Sequence, residues 1–109
     1  AGKVICRQCG GSGFDRLRPP PVTSQPPNPW ALVGMSGGVA EWVADCWFHN
    51  YADAPRNGSA RDAPNCHKRV LRGGAWRDEP PDLEVTSRNS YDIDVRYLAN
   101  GFRVARDID

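Results

Sequence analysis

The stretch that decides the fold is RVLRGGAW, residues 69–76. Its first four residues place two aliphatic side chains between two arginines, which predicts a short strand over 69–72. Gly73 and Gly74 end this strand. Paired glycines occur where the backbone turns or approaches another segment closely, because they carry no Cβ. We therefore predict a strand followed at once by a turn or by a close approach to another segment.

The chain around this strand has the composition of a small, loop-rich domain. Its 109 residues include 11 Gly and 10 Pro, together with four Trp and three Tyr that can supply buried area. The formal net charge is +1, which gives no charge-driven case for binding nucleic acid or a membrane surface. No stretch approaches the ~18 apolar residues of a transmembrane helix, so we expect no membrane insertion.

Several further elements can be read from the pattern of residues. The stretch VAEWVADCWF at 39–48 fits both a helical stripe and the alternation of a strand, so periodicity leaves helix and strand open. Residues 49–68 are polar and turn-rich and predict a surface loop. Three predictions concern the remainder of the chain: a short helix or strand over Leu83–Arg88, a turn at Asn100–Gly101, and a closing strand over Phe102–Arg106.

Five blocks occur in an order that resembles a known family. They are NPWAL at 28–32, MSGGVAEW at 35–42, RVLRGGAW at 69–76, Arg88, and GFRVA at 101–105. This order is similar to that of the formylglycine-generating enzymes, also called sulfatase-modifying factors. The resemblance implies an α+β, loop-rich, C-type-lectin-like fold and favours an extended conformation for 40–48.

Composition and resemblance together suggest a domain organisation. The Gly and Pro residues of 1–28 predict a Cys/Gly/Pro-rich loop segment, packed on the domain or, alternatively, a free linker. The resemblance implies that residues 29–109 are only the C-terminal part of a sulfatase-modifying-factor-like domain. A protein partner or a complementing N-terminal chain is therefore expected to complete the fold. Burying four Trp with few aliphatic residues would be easier with such a piece.

The resemblance does not extend to the catalytic residues. In catalytic members, two cysteines shortly after the R-x-x-G-G-S motif act with copper and oxygen to oxidise a substrate cysteine. No cysteine follows Gly74 here, because all four lie at positions 6, 9, 46 and 66. We therefore expect no catalytic residue and a binding scaffold or accessory subunit of a larger assembly. The alternative is a C-terminal fragment of a metal-dependent oxidising enzyme whose metal ligands lie in a missing N-terminal half.

Calcium is the one cofactor that the resemblance suggests. Glu41 would be the side-chain ligand, with backbone oxygens near Gly37 and Val39. The family's Asp or Asn positions are Gly34 and Gly38 here, which removes side-chain ligands from a cation that needs 6–8 oxygens. The alternative role of Glu41 is an ion pair with an arginine.

The four cysteines allow two interpretations. One CxxC pair with two distant cysteines could form a tetrahedral zinc site. The alternative is a disulfide between Cys46 and Cys66 at the ends of the polar loop, with Cys6 and Cys9 paired locally. Disulfides imply an oxidising compartment, periplasmic or extracellular, whereas four free thiols would leave a cytoplasmic location open.

The predicted binding face consists of residues that come directly after two of the family motifs in the sequence. Tyrosines there suit recognition, because they offer contact area with few torsions. The region also resembles the variable face of retroelement-diversified proteins that share this fold. Arg72, Arg88 and Arg103 are expected to be structural. The residues of the predicted face are Trp76, Arg77, Asp78, Asn89, Tyr91, Asp92, Asp94 and Tyr97.

Overall fold

A computed structural model describes residues 19–23 and 25–108. Their four strands form one mixed sheet in the spatial order β3-β2-β1-β4. Strand β1 pairs with β2 in antiparallel orientation and with β4 in parallel, and β2 pairs with β3 in antiparallel orientation. This mixed, loop-rich sheet confirms the predicted fold class. The strands are β1 (Ala40–Cys46), β2 (Lys68–Arg72), β3 (Asn89–Asp92) and β4 (Asn100–Gly101), and the only helical element of the described residues is a 3-10 turn over Pro80–Leu83.

Strand β1 settles the ambiguity of residues 39–48 in favour of the extended conformation. Trp42 lies opposite Leu71 and Cys46 opposite Arg69, with a bulge between the two pairs. The two ends of β1, Ala40 and Cys46, are buried. Pairing with β2 and β4 supplies backbone hydrogen bonds on both edges, and this tertiary context overrides the helical stripe of the sequence.

The glycine pair after β2 makes the predicted close contact. Gly73 and Gly74 have φ of +92° and +67°, in the left-handed region that favours glycine. The Gly37 N–H donates to the Gly73 carbonyl at 2.6 Å, and a Cβ on Gly73 would lie 2.9 Å from the Met35 carbonyl oxygen. The turn after β2 is therefore packed directly against the loop that precedes β1.

The core is small and rich in alanine. Leu71 and Val70 are each 1% exposed and are its largest fully buried side chains. Leu71 packs in one cluster with Trp76 and three alanines at positions 40, 75 and 99. Because alanines fill little volume, the cluster leaves open space at one end of the sheet.

The predicted turn at Asn100–Gly101 is wrong. These two residues form β4 and pair in parallel with Ala40 and Glu41, and the turn falls earlier, where the Asn100 N–H donates to the Tyr97 carbonyl at 3.0 Å. A Cβ on Gly101 would lie only 2.7 Å from Cγ2 of Val39. Because Gly101 has no side chain, β4 can lie close to the start of β1.

Two other predicted elements are also wrong. Residues 102–106 are irregular, and Phe102 and Val104 are exposed. Instead of extending the sheet, this segment is attached through the Arg103 side chain, which bonds to β1 and to the loop before it. The predicted element Leu83–Arg88 is irregular after Leu83, where the 3-10 turn ends. Its Val85 side chain is exposed and contributes no burial to stabilise a regular element.

The polar loop after β1 lies on the surface as predicted. A disulfide between Cys46 and Cys66 closes its base, with the two Cα atoms 6.0 Å apart and the cysteines 20 positions apart in sequence. Inside the loop, the Arg61 guanidinium lies 3.8 Å from the centre of the Phe48 ring. It also donates to the carbonyls of Asn50 and Ala52. The loop therefore has its own internal order.

Candidate binding site

Gly74 determines where the 3-10 turn packs. A Cβ on Gly74 would lie 2.8 Å from Cδ1 of Leu83 and 3.0 Å from the Asp82 carbonyl oxygen. The absent side chain lets Leu83 bury itself against the end of β2. This approach holds Asp82 at the same end of the sheet as the alanine-rich core.

Asp78 is held in a tight turn beside that position. Its N–H donates to the Ala75 carbonyl at 2.9 Å, and its Oδ2 accepts from the Ala75 N–H at 2.8 Å. Burial raises the pKa of the Asp78 carboxyl, and the negative charge of Asp82 raises it further, while the Ala75 hydrogen bond and Arg77 act in the opposite direction. Asp78 is therefore a positioned carboxylate that is partly withdrawn from water.

Two tyrosines and an arginine form a cluster next to the carboxylates. The rings of Tyr91, on β3, and Tyr97, before β4, stack with centroids 5.8 Å apart and an interplanar angle of 30°. Arg77 donates from Nη1 to the Tyr97 hydroxyl at 2.9 Å. We call Arg77, Tyr91 and Tyr97 the tyrosine face. Each member is fixed by another, so the face is preorganised for a contact.

A cavity of about 270 Å³ opens beside the tyrosine face. Its floor consists of buried small residues and Leu71, and its walls carry carboxylate, amide, hydroxyl and phenol groups. Arg88 contributes to the wall, but its guanidinium lies over the rings of Tyr51 and Trp47 at 4.3 and 4.8 Å. The polar residues of the wall are Asp78, Asp82, Ser87, Arg88, Asn89, Tyr91, Tyr97 and Asn100.

The structure brings together half of the predicted binding face at this cavity. Asp92 and Asp94 are exposed but do not line it. Ser87 and Asn100 line the cavity but are not part of the predicted binding face. Ser87 lies in no motif, and the sequence around Asn100 predicts a turn. The predicted residues that do line the cavity are Asp78, Asn89, Tyr91 and Tyr97, and Arg77 lies beside them.

The prediction that Trp76 is an exposed contact residue is wrong. Its side chain belongs to the core cluster, and the residue is only 5% exposed. The Trp76 N–H donates to the Gly38 carbonyl at 2.7 Å. This bond joins the Trp76 backbone to the loop before β1, and the indole packs in the alanine-rich core.

The three residues predicted to bind calcium lie at a second cavity. Glu41, Gly37 and Val39 contribute to a space of about 270 Å³ that is also lined by Phe102 and Arg103. Both Glu41 oxygens are bonded by Arg103, with Nε 2.7 Å from Oε2 and Nη2 2.6 Å from Oε1. The alternative role that the sequence allowed for Glu41, an ion pair with an arginine, is the observed one.

These residues do not fit a calcium site while Arg103 stands there. Among the described residues that line the cavity, Glu41 carries the only carboxylate, and a guanidinium already binds its oxygens. In the described part of the chain, no group of three or more His, Cys, Asp or Glu could hold a metal ion. The predicted partner of Cys46 is confirmed as Cys66, and the predicted Cys6–Cys9 pair lies outside the described residues.

The sequence places the chain in a known family of domains. Residues 10–108 match the domain family described as sulfatase-modifying factor enzyme 1-like. Because the match spans most of the sequence, the chain belongs to this family, as the five ordered motifs indicated.

Known proteins similar to this chain are much longer than it is. Serine/threonine-protein kinase pkn1 of Chlamydia pneumoniae is 33% identical over 90 residues, which are 81% of this chain and 14% of the kinase. The structure of PvdO from Pseudomonas aeruginosa matches with 33% identity and a TM-score of 0.82, over 94% of this chain and 38% of PvdO. Variable protein 1 of Treponema denticola matches with 26% identity and a TM-score of 0.67, over 93% and 34% of the two chains.

This chain matches only a part of each relative. The chain spans between 14% and 38% of the kinase and PvdO, so it corresponds to a fragment of a larger protein in these comparisons. Among the residues that the structure describes, no helix is long and apolar enough to cross a lipid bilayer.

Proposed function

We propose that this chain is a non-catalytic binding module of a larger protein and that the tyrosine face contacts the partner. The observation that carries the proposal is the preorganised cluster of Arg77, Tyr91 and Tyr97 beside a polar cavity. Tyrosine and arginine dominate the residues that contribute most to binding energy in protein interfaces. Their mutual contacts reduce the side-chain entropy that a partner would otherwise have to overcome.

The cysteines support the non-catalytic part of the proposal. No cysteine follows Gly74 in the sequence, and Cys46 and Cys66 are joined in a disulfide. Neither sulfur is therefore a free thiolate that could bind copper or attack a substrate. The disulfide further supports an oxidising location, periplasmic or extracellular, which thiol labelling of protein taken directly from cells would test.

A site-specific photocrosslink tests the binding face. A benzoylphenylalanine in place of Tyr97 should capture a partner protein in the source cells, whereas the same group in place of Val85, which is 87% exposed, should not. Equal capture at both positions, or none at Tyr97, would contradict the proposal. With the captured partner purified, Arg77→Ala and Tyr91→Ala should each weaken binding by about tenfold or more.

We also propose that further polypeptide of the same domain covers the apolar side of the second cavity. Val22 and Phe102 line that cavity and are 80% and 77% exposed. The 38% coverage of PvdO supports this proposal. Native mass measured on protein isolated without denaturant should show a longer chain or a bound second chain, and a lone 12.0 kDa species would refute it.

The coverage of PvdO also favours a second candidate function. The chain could be the C-terminal part of a metal-dependent oxidising enzyme whose metal ligands lie in the remainder of the protein. Elemental analysis of the intact protein distinguishes the two functions. Stoichiometric copper or iron favours the enzyme, and its absence from active preparations of the intact protein favours the binding module.

A further inference from the structure

We infer that Arg103 is the resident cation of the second cavity: its guanidinium binds the Glu41 carboxylate, which a calcium ion there would need, so the described part of the cavity does not require a metal. The inference concerns Glu41, the loop before β1 and the segment after β4. It does not depend on the proposed binding function, because none of its groups belongs to the tyrosine face.

Four oxygen atoms surround the guanidinium. Nε donates to Oε2 of Glu41 at 2.7 Å, and Nη2 donates to Oε1 of Glu41 at 2.6 Å. The same Nη2 faces the carbonyl oxygens of Val33 at 2.8 Å and Gly34 at 3.2 Å. One carboxylate and two main-chain carbonyls are hard oxygen donors of the kind that calcium sites use. Here they are satisfied by the planar fork of an arginine, whose geometry matches a carboxylate in bidentate fashion.

The charges at the cavity favour arginine over calcium. Calcium requires 6–8 oxygen ligands from carboxylates, carbonyls and water, whereas Glu41 is the only acidic side chain among the described residues that line the cavity. Gly34 and Gly38, also in the lining, carry no side-chain oxygen. A calcium ion would have to displace the guanidinium or accept a like charge beside it. Arginine neutralises the single carboxylate without excess charge.

The Arg103 contacts join three segments that are far apart in sequence. Glu41 lies on β1, Val33 and Gly34 lie in the loop before it, and Arg103 follows β4. The hydrogen bond to Glu41 raises the pKa of Arg103, so the guanidinium keeps its charge beside the carboxylate. Arg103 thus fixes the irregular segment after β4, which forms no strand.

Thermal unfolding of the full chain in EDTA and in CaCl2 tests the inference. The wild-type midpoint should be the same in both solutions, and calcium titration should give no binding heat. Arg103→Gln should lower the midpoint by about 5–10 °C in EDTA, because Glu41 loses its charged partner. Arg56→Gln is the matched control, since the Arg56 side chain is exposed on the polar loop; it should leave the midpoint unchanged.

Two results would overturn the inference. The first is a wild-type midpoint that rises with calcium and falls with EDTA, which would make the cavity a metal site. The second is an Arg103→Gln midpoint equal to that of Arg56→Gln. If Arg103→Gln does not fold, Arg103→Lys keeps the charge but loses the fork. It should unfold below wild type and remain insensitive to calcium, and a calcium-dependent rise would again contradict the inference.

Discussion

Gly74→Ala is the substitution for which the structure gives the most specific expectation. Gly74 has φ of +67°, and an L-residue in the left-handed region costs about 1–2 kcal/mol. The new Cβ would also lie 2.8 Å from Cδ1 of Leu83 and 3.0 Å from the Asp82 carbonyl oxygen. The leucine methyl can rotate away, but the carbonyl belongs to the backbone. Overpacking of this kind costs about 1–3 kcal/mol. We expect the free energy of unfolding to fall by about 2–5 kcal/mol.

Gly58→Ala is the control that separates the two contributions. Gly58 has φ of +84°, but nothing lies within 4 Å of its added Cβ. This variant should lose only the backbone contribution of about 1–2 kcal/mol. Urea unfolding followed by tryptophan fluorescence gives both values, and their difference reports the close approach of the 3-10 turn to the sheet.

The result that would refute this reasoning is an equal loss in the two variants. In a Leu83→Ala background, the additional cost of Gly74→Ala should shrink, because the nearest methyl group is gone while the Asp82 carbonyl remains. Such non-additivity is expected for groups in direct contact. An unchanged additional cost would show that Leu83 does not pack against Gly74.

Three further predictions concern acid behaviour, the disulfide and the core. Burial raises the pKa of Asp78, so its contribution favours the folded state below the unfolded pKa and becomes a cost as pH rises through the folded pKa. Asp78→Asn should therefore raise the free energy of unfolding at pH 7 and remove its decrease between pH 3 and 7. Asp78→Ala should instead lower the free energy of unfolding by about 1–3 kcal/mol, because the buried Ala75 N–H loses its acceptor. Urea unfolding of both variants at pH 3 and pH 7 checks these two expectations. Reducing Cys46–Cys66 should cost about 3 kcal/mol, seen as a lower thermal midpoint in the presence of a phosphine reductant. Leu71→Ala, at a site 1% exposed, should cost about 2–5 kcal/mol in urea unfolding.

The elements that the sequence predicts correctly are those with a local physical cause. Two glycines after an aliphatic pair predict a strand with a close contact, and the structure has it at Gly73 and Gly74. The disulfide was predictable because its two cysteines bracket a polar loop. Family resemblance was needed to choose the strand for residues 40–46, since both periodicities fit.

The features that the sequence did not predict depend on partners distant in the chain. Asn100–Gly101 has the local preference of a turn, but Gly101 is used to approach Val39, the residue just before β1. The ion pair of Arg103 with Glu41 spans 62 residues, and no spacing rule selects one arginine among many. The cavity beside the tyrosine face arises from alanines brought together by the fold, and alanine carries no signal of its own in the sequence.

The covalent closure of the polar loop has a consequence for proteolysis. Residues 47–65 lie between Cys46 and Cys66, and most of them are exposed. A single cut in this loop would leave both pieces joined by a sulfur–sulfur bond, while β1 and β2 stay paired across the break. Nicked material would migrate as an intact chain on a non-reducing gel and would separate into two fragments only after reduction.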